Sequence, residues 1–453
     1  MRFHTTILGA TMAVLFSSTV QGQGFFGSKG TGAEVDSRAV KAQASAFADK
    51  QEEWLKPFAL ALYRDGEWGA VLNLERLGLA AMEKQRFALA RKAFDESIAR
   101  VESIYADDAN ASKARSVFNQ EKVKDFKGEP YERAMLYYYR GLLYAQDGDY
   151  QNARASFLAA DRHDTLSSSE DQAYVGNFGM MKYLAAWASH CDGDKDRGEQ
   201  LAGEARAIDS KIQAIPPNPA NSLILVDTAA GPQKWGDGKY KEILKFKGGD
   251  GQAPAFTLTK GGLPVGAPQW VIGDVNFQAT TRGGREIDGI MSGKAKFKDS
   301  AGAIGDTALQ VGQQAAMVGA LSGNRDMANA GLIGMFAGLI AKGVEQATTP
   351  AADLRGWEAL PGKVVMISAP DIAKGAPLEL KVAGAGQPLP LVSAHGSCSI
   401  AWGRTASALA SGQGGAGKAD ESAPTEANRG DRNRSFRAML VDELLSSQLV
   451  AAK

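Results

Sequence analysis

The first guide to this sequence is what it has little of. Only two cysteines and four histidines occur among 453 residues, so a multi-cysteine metal site or a disulfide framework has no material to build from. An excess of one charge is missing too, because 51 lysines and arginines stand against 51 aspartates and glutamates. A polyanion-binding surface therefore has no compositional support, and nucleic acid is not an expected partner. Long apolar runs are also lacking. The stretch Thr5–Val20 is broken by Thr and Ser and is short for a bilayer span; Ala328–Ala341 is shorter still. Between residues 36 and 213 proline occurs only at Pro57 and Pro130, which leaves long helices permitted throughout that half.

What is present begins with an export signal. Arg2 precedes the Thr5–Val20 run, and the small residues Val20 and Gly22 before Gln23 fit a peptidase site, so 1–22 reads as a signal peptide. The alternative is an anchor that is never cut. No Cys follows the run, so no lipid is expected there, and the mature chain is expected to be periplasmic or secreted. In an oxidising compartment two thiols in one chain commonly pair. Cys191 and Cys398 are thus a candidate disulfide joining the two halves; the other reading is two unrelated buried small side chains.

Residues 36–213 carry helical periodicity and a repeated pattern. Leu74, Leu77, Gly78 and Ala81 are followed by Phe87, Ala90, Phe94 and Ser97. Tyr137, Arg140, Gly141 and Tyr144 are followed by Tyr150, Ala153, Phe157 and Ala160. In both stretches the later Ala lies twelve residues after the Gly, and the aromatic four residues after that Ala. A degraded third unit repeats the Asp147-Gly148-Asp149 turn as Asp192-Gly193-Asp194, with Ala186, Gly198, Ala202 and Ala205. This resembles the tetratricopeptide repeat, in which small residues let two antiparallel helices approach and large ones fill the gap. The 63 residues separating Gly78 from Gly141 exceed the usual period of about 34 and leave an irregular insert near 105–130.

In such arrays the inner face of each first helix contacts the ligand. By register these positions are Leu72, Glu75 and Leu79, then Met135, Tyr138 and Leu142, then Met180, Tyr183 and Trp187. The candidate groove is represented by Glu75, Tyr138, Leu142, Tyr183 and Trp187, since Tyr and Trp give large contact area at low rotamer cost. The competing reading covers these side chains with the insert or with the C-terminal half.

After Pro216-Pro217-Asn218-Pro219, residues 218–403 carry strand signals at 222–227, 241–246, 255–259, 270–279, 363–368, 378–382 and 389–401. A β-rich, sandwich-like domain follows from them. It carries an inserted helical hairpin, 302–347, striped by Gly305, Ala308, Gly312, Ala315, Gly319 and Ser322, then by Gly331, Gly334, Gly338 and Ala341. Small residues on one face allow backbone-to-backbone packing. That hairpin reads as tightly packed within the domain, with membrane contact or self-association as the alternative. Residues 404–433 read as a disordered linker. The segment 434–453 reads as an amphipathic helix, Ser435–Ala452, with Phe436, Met439, Leu440 and Leu444 on one face. It is either a docking peptide or a helix folded back on its own domain. The expected fold class is therefore α+β.

Three segments together resemble a family of uncharacterised bacterial cell-envelope proteins with a tetratricopeptide-like N-terminal half. They are residues 126–142 (Phe-Lys-Gly-Glu-Pro-Tyr-Glu-Arg-Ala-Met onward), Gly231-Pro232-Gln233-Lys234, and 349–361 around Leu354-Arg355-Gly356-Trp357. The resemblance covers roughly residues 70–385 and implies an envelope location with no assigned activity. Members are often lipid-anchored, whereas this chain lacks the Cys for it.

Chemistry finds little support. His190-Cys191 and His395-x2-Cys398 could supply two His and two Cys, but neighbours on a helix point about 100° apart and chelate poorly together. Ser397 and Ser399 lack a nucleophile-elbow context. Gly231 to Lys239 places Asp237 where a phosphate loop needs Lys. No cofactor, no metal and no enzymatic activity are expected. The expected role is a non-catalytic exported adaptor or scaffold for envelope proteins or peptides. The alternative is a self-assembling or membrane-associating structural protein that uses 302–347. Oligomeric state is not specified.

Overall fold

The computed structural model describes residues 31–106, 125–165, 178–212, 221–239, 241, 243–249, 254–265, 269–280, 352–369, 372–405 and 430–446. The expected signal segment 1–22 and the glycine-striped hairpin 302–347 lie outside the described residues, as does most of 404–433. The chain is α+β, with a helical region first and a β-rich region after it.

The helical region runs α1 (Thr31–Ala48), α2 (Lys56–Asp65), a 3-10 turn (Gly66–Trp68), α3 (Ala70–Glu83), α4 (Phe87–Ala106), α5 (Pro130–Gln146), α6 (Tyr150–Thr165), α7 (Gly179–Cys191) and α8 (Lys195–Ile208). Helices α3/α4, α5/α6 and α7/α8 pack as hairpins, and α4 meets α5 as α6 meets α7. The repeated glycines explain the closeness. A β-carbon on Gly78 would lie 2.7 Å from Phe94 Cδ1, and one on Gly141 would lie 2.8 Å from Phe157 Cδ1. Each phenyl ring therefore seats on bare backbone of its own hairpin partner. Phe94 also stacks on Tyr139 of the next hairpin, with centroids 6.1 Å apart. In the third hairpin the ring is gone, and Gly198 instead approaches the Ala186 carbonyl.

The β-rich region contains β1 (Ser222–Ala230), β2 (Gln233–Asp237), β3 (Ile243–Lys247), β4 (Phe256–Lys260), β5 (Leu263–Pro264), β6 (Gln269–Asp274), α9 (Val275–Thr280), β7 (Pro361–Ile367), β8 (Leu378–Val382), β9 (Ala385–Pro388), β10 (Leu391–His395) and β11 (Cys398–Arg404). A five-stranded sheet has the order β10-β11-β1-β7-β6, and a four-stranded sheet the order β5-β4-β8-β9. Within the larger sheet β1 and β11 are parallel and β1 and β7 antiparallel.

Strand alternation divides the larger sheet into two faces. Ile224, Val226, Val365, Ile367 and Ala401 pack with Leu258, Leu378 and Leu380 of the smaller sheet. Leu223, Leu225, Val364, Met366, Ile400 and Trp402 join the core of the helical array. The result is three layers, helices on sheet on sheet. One hydrophobic core therefore crosses the expected boundary between residues 213 and 218.

Several expected boundaries are corrected. The segment 270–279 is not one strand: β6 ends at Asp274, whose carboxylate accepts the Phe277 N–H at 2.8 Å and starts α9. The segment 389–401 is a hairpin, because Gly396 at φ 60° reverses the chain between β10 and β11. Strands β2 and β9 carried no recognised signal. The C-terminal helix begins earlier than expected, as α10 (Gly430–Met439), and closes with a π turn, Leu440–Leu444. It is folded back on the chain, with Phe436, Leu440, Leu444 and Leu445 buried.

Cys191 at the end of α7 and Cys398 at the start of β11 are disulfide-bonded, with Cα atoms 5.8 Å apart. The bond clamps the third hairpin to the sheet. Serine at Cys398, or at both cysteines, is expected to lower the unfolding free energy by about 4 kcal/mol, given the long loop closed. Urea titrations with and without reductant check this, and unchanged stability contradicts it. A second expectation concerns the hairpin turns. Gly148 and Gly193 sit at φ 75° and 91°, and the equivalent position in the first hairpin is Gln85 at φ 56°. Gln85→Gly removes a left-handed strain of about 1–2 kcal/mol against a smaller entropic loss, so it should stabilise by roughly 0.5–1 kcal/mol. Thermal melts read the sign directly.

Candidate functional site: the seam between helices and sheet

Register places nine residues on the inner face of the first helices, and every one of them is buried. Glu75, Tyr138, Leu142, Tyr183 and Trp187, the groove candidates, are each 0% exposed. Their face is covered by the larger sheet: Leu142, Tyr183 and Trp187 share one cluster with Leu223, Ile400 and Trp402. The groove is thus corrected to an internal seam, because a sheet apolar on both faces needs a second layer. Glycines make close contact feasible here as well. Gly273 of β6 lies against Met180 and Phe178 of the third hairpin.

Two polar centres cross the seam. The first is built on Asp227, which alternation puts on the same face of β1 as Leu223 and Leu225. Its carboxylate accepts from Tyr139 Oη at 2.7 Å and Tyr138 Oη at 3.4 Å. Arg404, opposite it on β11, stands 3.7 Å away and reaches Glu83 of α3 at 3.2 Å. Arg404 also donates to the Ala359 carbonyl. Burial pushes Asp227 up to about 6, against the pull of Arg404 and the tyrosine hydroxyls.

The second centre is Glu132 on α5. It accepts from Lys234 Nζ at 2.7 Å, from the Trp357 N–H at 2.8 Å and from the Glu129 N–H at 2.7 Å. Lys234 donates again to the Arg355 carbonyl at 2.7 Å. Trp357 then packs on Tyr139 at 5.6 Å and Phe94 at 6.4 Å. Residues 126–142, 231–234 and 352–361, far apart in the chain, therefore meet at one buried point. Glu75 lies beside it with neither carboxyl oxygen hydrogen-bonded among the described residues. Burial, and then the Glu132 charge, push Glu75 well above the usual carboxylate range, while Lys234, Arg76 and Arg133 oppose them. Burial raises Glu132 as well, against Lys234 and the Trp357 N–H. Glu132 meets at least three donors and Glu75 none among the described residues, so the charge is better satisfied on Glu132 and the proton on Glu75.

Sequence reading missed Asp227, Arg404, Glu132 and Lys234 as a set. A lone Asp in the apolar run Leu223–Thr228 was a usable signal, since a buried strand tolerates a carboxylate only with partners. The zinc-like constellation is resolved differently: both thiols are in the disulfide, and His395 Nε2 lies 2.8 Å from the Gln146 carbonyl. Among the described residues no helix is long and apolar enough to cross a membrane. No protein-family model, curated protein or solved structure matches the chain.

The seam makes a pH prediction. A protonated Glu75 in the native state means that its stabilising contribution is present at low pH. That contribution is lost as pH rises from the unfolded value toward the native one. Glu75→Gln mimics the neutral acid at every pH. It should match the wild type below the unfolded glutamate value of about 4.3 and exceed it increasingly as pH rises from there toward the native value, by about 1.4 kcal/mol for each pH unit across that window. Urea titrations at several pH values test it; a variant weaker than wild type at pH 8 refutes the assignment.

Proposed function

We propose that this chain is a non-catalytic, exported adaptor or scaffold of the bacterial cell envelope. In this reading its tetratricopeptide-like array is a frame, and its partners are proteins or peptides held on the outer surface. The observation that supports the reading is the sealing of the inner face by the chain's own sheet. Asp227, Glu132, Glu75, Tyr138 and Tyr139 are all strongly perturbed by burial, and all lie inside the fold. Groups so enclosed hold a seam together and offer no access to a substrate. The disulfide fits an oxidising compartment. Outer positions available to partners include Trp235, Leu263 and Val392, at 48%, 73% and 38% exposure.

In-cell photo-cross-linking tests this reading. A photoreactive side chain at each of those outer positions should yield adducts with one or a few envelope proteins. The seam variant Tyr138→Phe should leave their yield within about twofold, because the hydroxyl it removes faces Asp227 inside the fold. Loss of the adducts in a folded Tyr138→Phe protein would place partner binding on the inner face after all. Absence of adducts at every outer position would remove the adaptor reading.

A further inference from the structure

Helix α10 and its π turn lie against the 3-10 turn and α4, at the N-terminal end of the array. Four apolar side chains, Phe436, Leu440, Leu444 and Leu445, are buried, while Asp431 and Arg434 before them and Asp442 and Glu443 among them are exposed. The pattern is an aromatic-x3-Leu-x3-Leu-Leu stripe on an otherwise polar segment, the form in which amphipathic helices enter grooves.

The groove supplies matching polar contacts at both ends of that stripe. The Glu67 N–H donates to Asn433 Oδ1 at 3.0 Å. Arg437 donates to the Tyr63 carbonyl at 2.8 Å and sits 5.2 Å from the Tyr63 ring centroid. The Arg100 guanidinium covers the Phe436 ring at 4.8 Å, and Lys92 reaches the Glu443 carbonyl at 3.3 Å. Arg432 pairs with Asp125 at 2.8 Å. Next to the helix start, the seated segment leaves a cavity of about 240 Å³ among the described residues, lined in part by Glu67, Val71, Arg100, Phe126 and Arg432. The fit is specific in its contacts yet incomplete in its filling.

We propose that the groove between the 3-10 turn and α4 is a helix-recognition site, and that the C-terminal segment is its tethered ligand. The partner it accepts is an amphipathic helix with the same Phe-x3-Leu-x3-Leu-Leu face, which binds by displacing residues 430–446. Tethering sets the barrier to displacement, since a covalently attached ligand competes at an effective concentration of the order of mM. A trans ligand thus binds only when its own contacts are better, for example by filling the cavity near Arg432. This deepens the adaptor reading and rests on it, naming the partner class and a built-in restraint on binding.

The test uses the full chain and a fluorescein-labelled peptide of residues 430–446. In the Phe436→Ala/Leu440→Ala chain the groove is intact and its tethered ligand weakened. The peptide should bind this variant with a Kd at least tenfold lower than for the wild type. The same peptide carrying Phe436→Glu should bind neither. Equal affinity for both chains, or no binding to a folded variant, overturns the proposal. Should the variant not fold, a protease site introduced between residues 412 and 418 of the otherwise unchanged chain replaces it. After cleavage the labelled peptide should exchange stoichiometrically for the native segment, and failure to exchange overturns the proposal equally. These readouts need no cellular partner. A failed groove leaves the cross-linking result standing, and absent cross-links leave the peptide affinity standing.

Discussion

The whole arrangement depends on one strand that is apolar on both sides. β1 runs Ser222-Leu223-Ile224-Leu225-Val226-Asp227-Thr228 with every one of these residues buried. A strand like this cannot face water on either side, so its sheet must be an inner layer. The smaller sheet covers Ile224 and Val226, and the helical array covers Leu223 and Leu225. Six array-facing side chains, Leu223, Leu225, Val364, Met366, Ile400 and Trp402, together contribute on the order of 10 kcal/mol or more through burial. That is comparable to the net stability of an entire domain. The sheet therefore does not lift off the helices in a folded molecule, and the array's inner face is structural.

The polar centres fix how the layers align. Apolar contact alone is indifferent to small slides between a sheet and a helical face. Asp227 meeting two tyrosine hydroxyls and Arg404, and Glu132 meeting Lys234 and two backbone N–H groups, are not. Removing one partner from a buried charged set costs about 3–5 kcal/mol, because the remaining charge is left without compensation. Such centres thus register α5, β1, β11 and the 352–360 loop against one another. The disulfide adds a covalent point at the far end of the same seam.

Much of this was legible. Glycine and alanine spacing located the hairpins, because only bare backbone at Gly78 and Gly141 leaves room for Phe94 and Phe157. Helical register found the buried inner face, and the two cysteines suggested the link between halves. What covers the inner face was not legible, since sequence periodicity reports that a face is apolar and never names its partner. The β2–β3 and β10–β11 hairpins were obscured for another reason. Their turns use Gly238 and Gly396 inside stretches that resemble, respectively, a loop and a continuous strand. The centre around Glu132 required tertiary contact among segments over a hundred residues apart, as Lys234 and Trp357 show. The outer groove was legible only as one half of a pair, the amphipathic segment near Phe436.

If the inner face is core, then the helices and the sheet must open together. Native-state hydrogen exchange on α5 and β1 measures this most directly. Amides of Tyr138–Leu142 and of Leu223–Val226 should exchange with one common opening free energy, equal to that of global unfolding and rising with it as the disulfide forms. Exchange of α5 through a separate, lower-energy opening, with β1 still protected, would mean that the sheet is a removable cover.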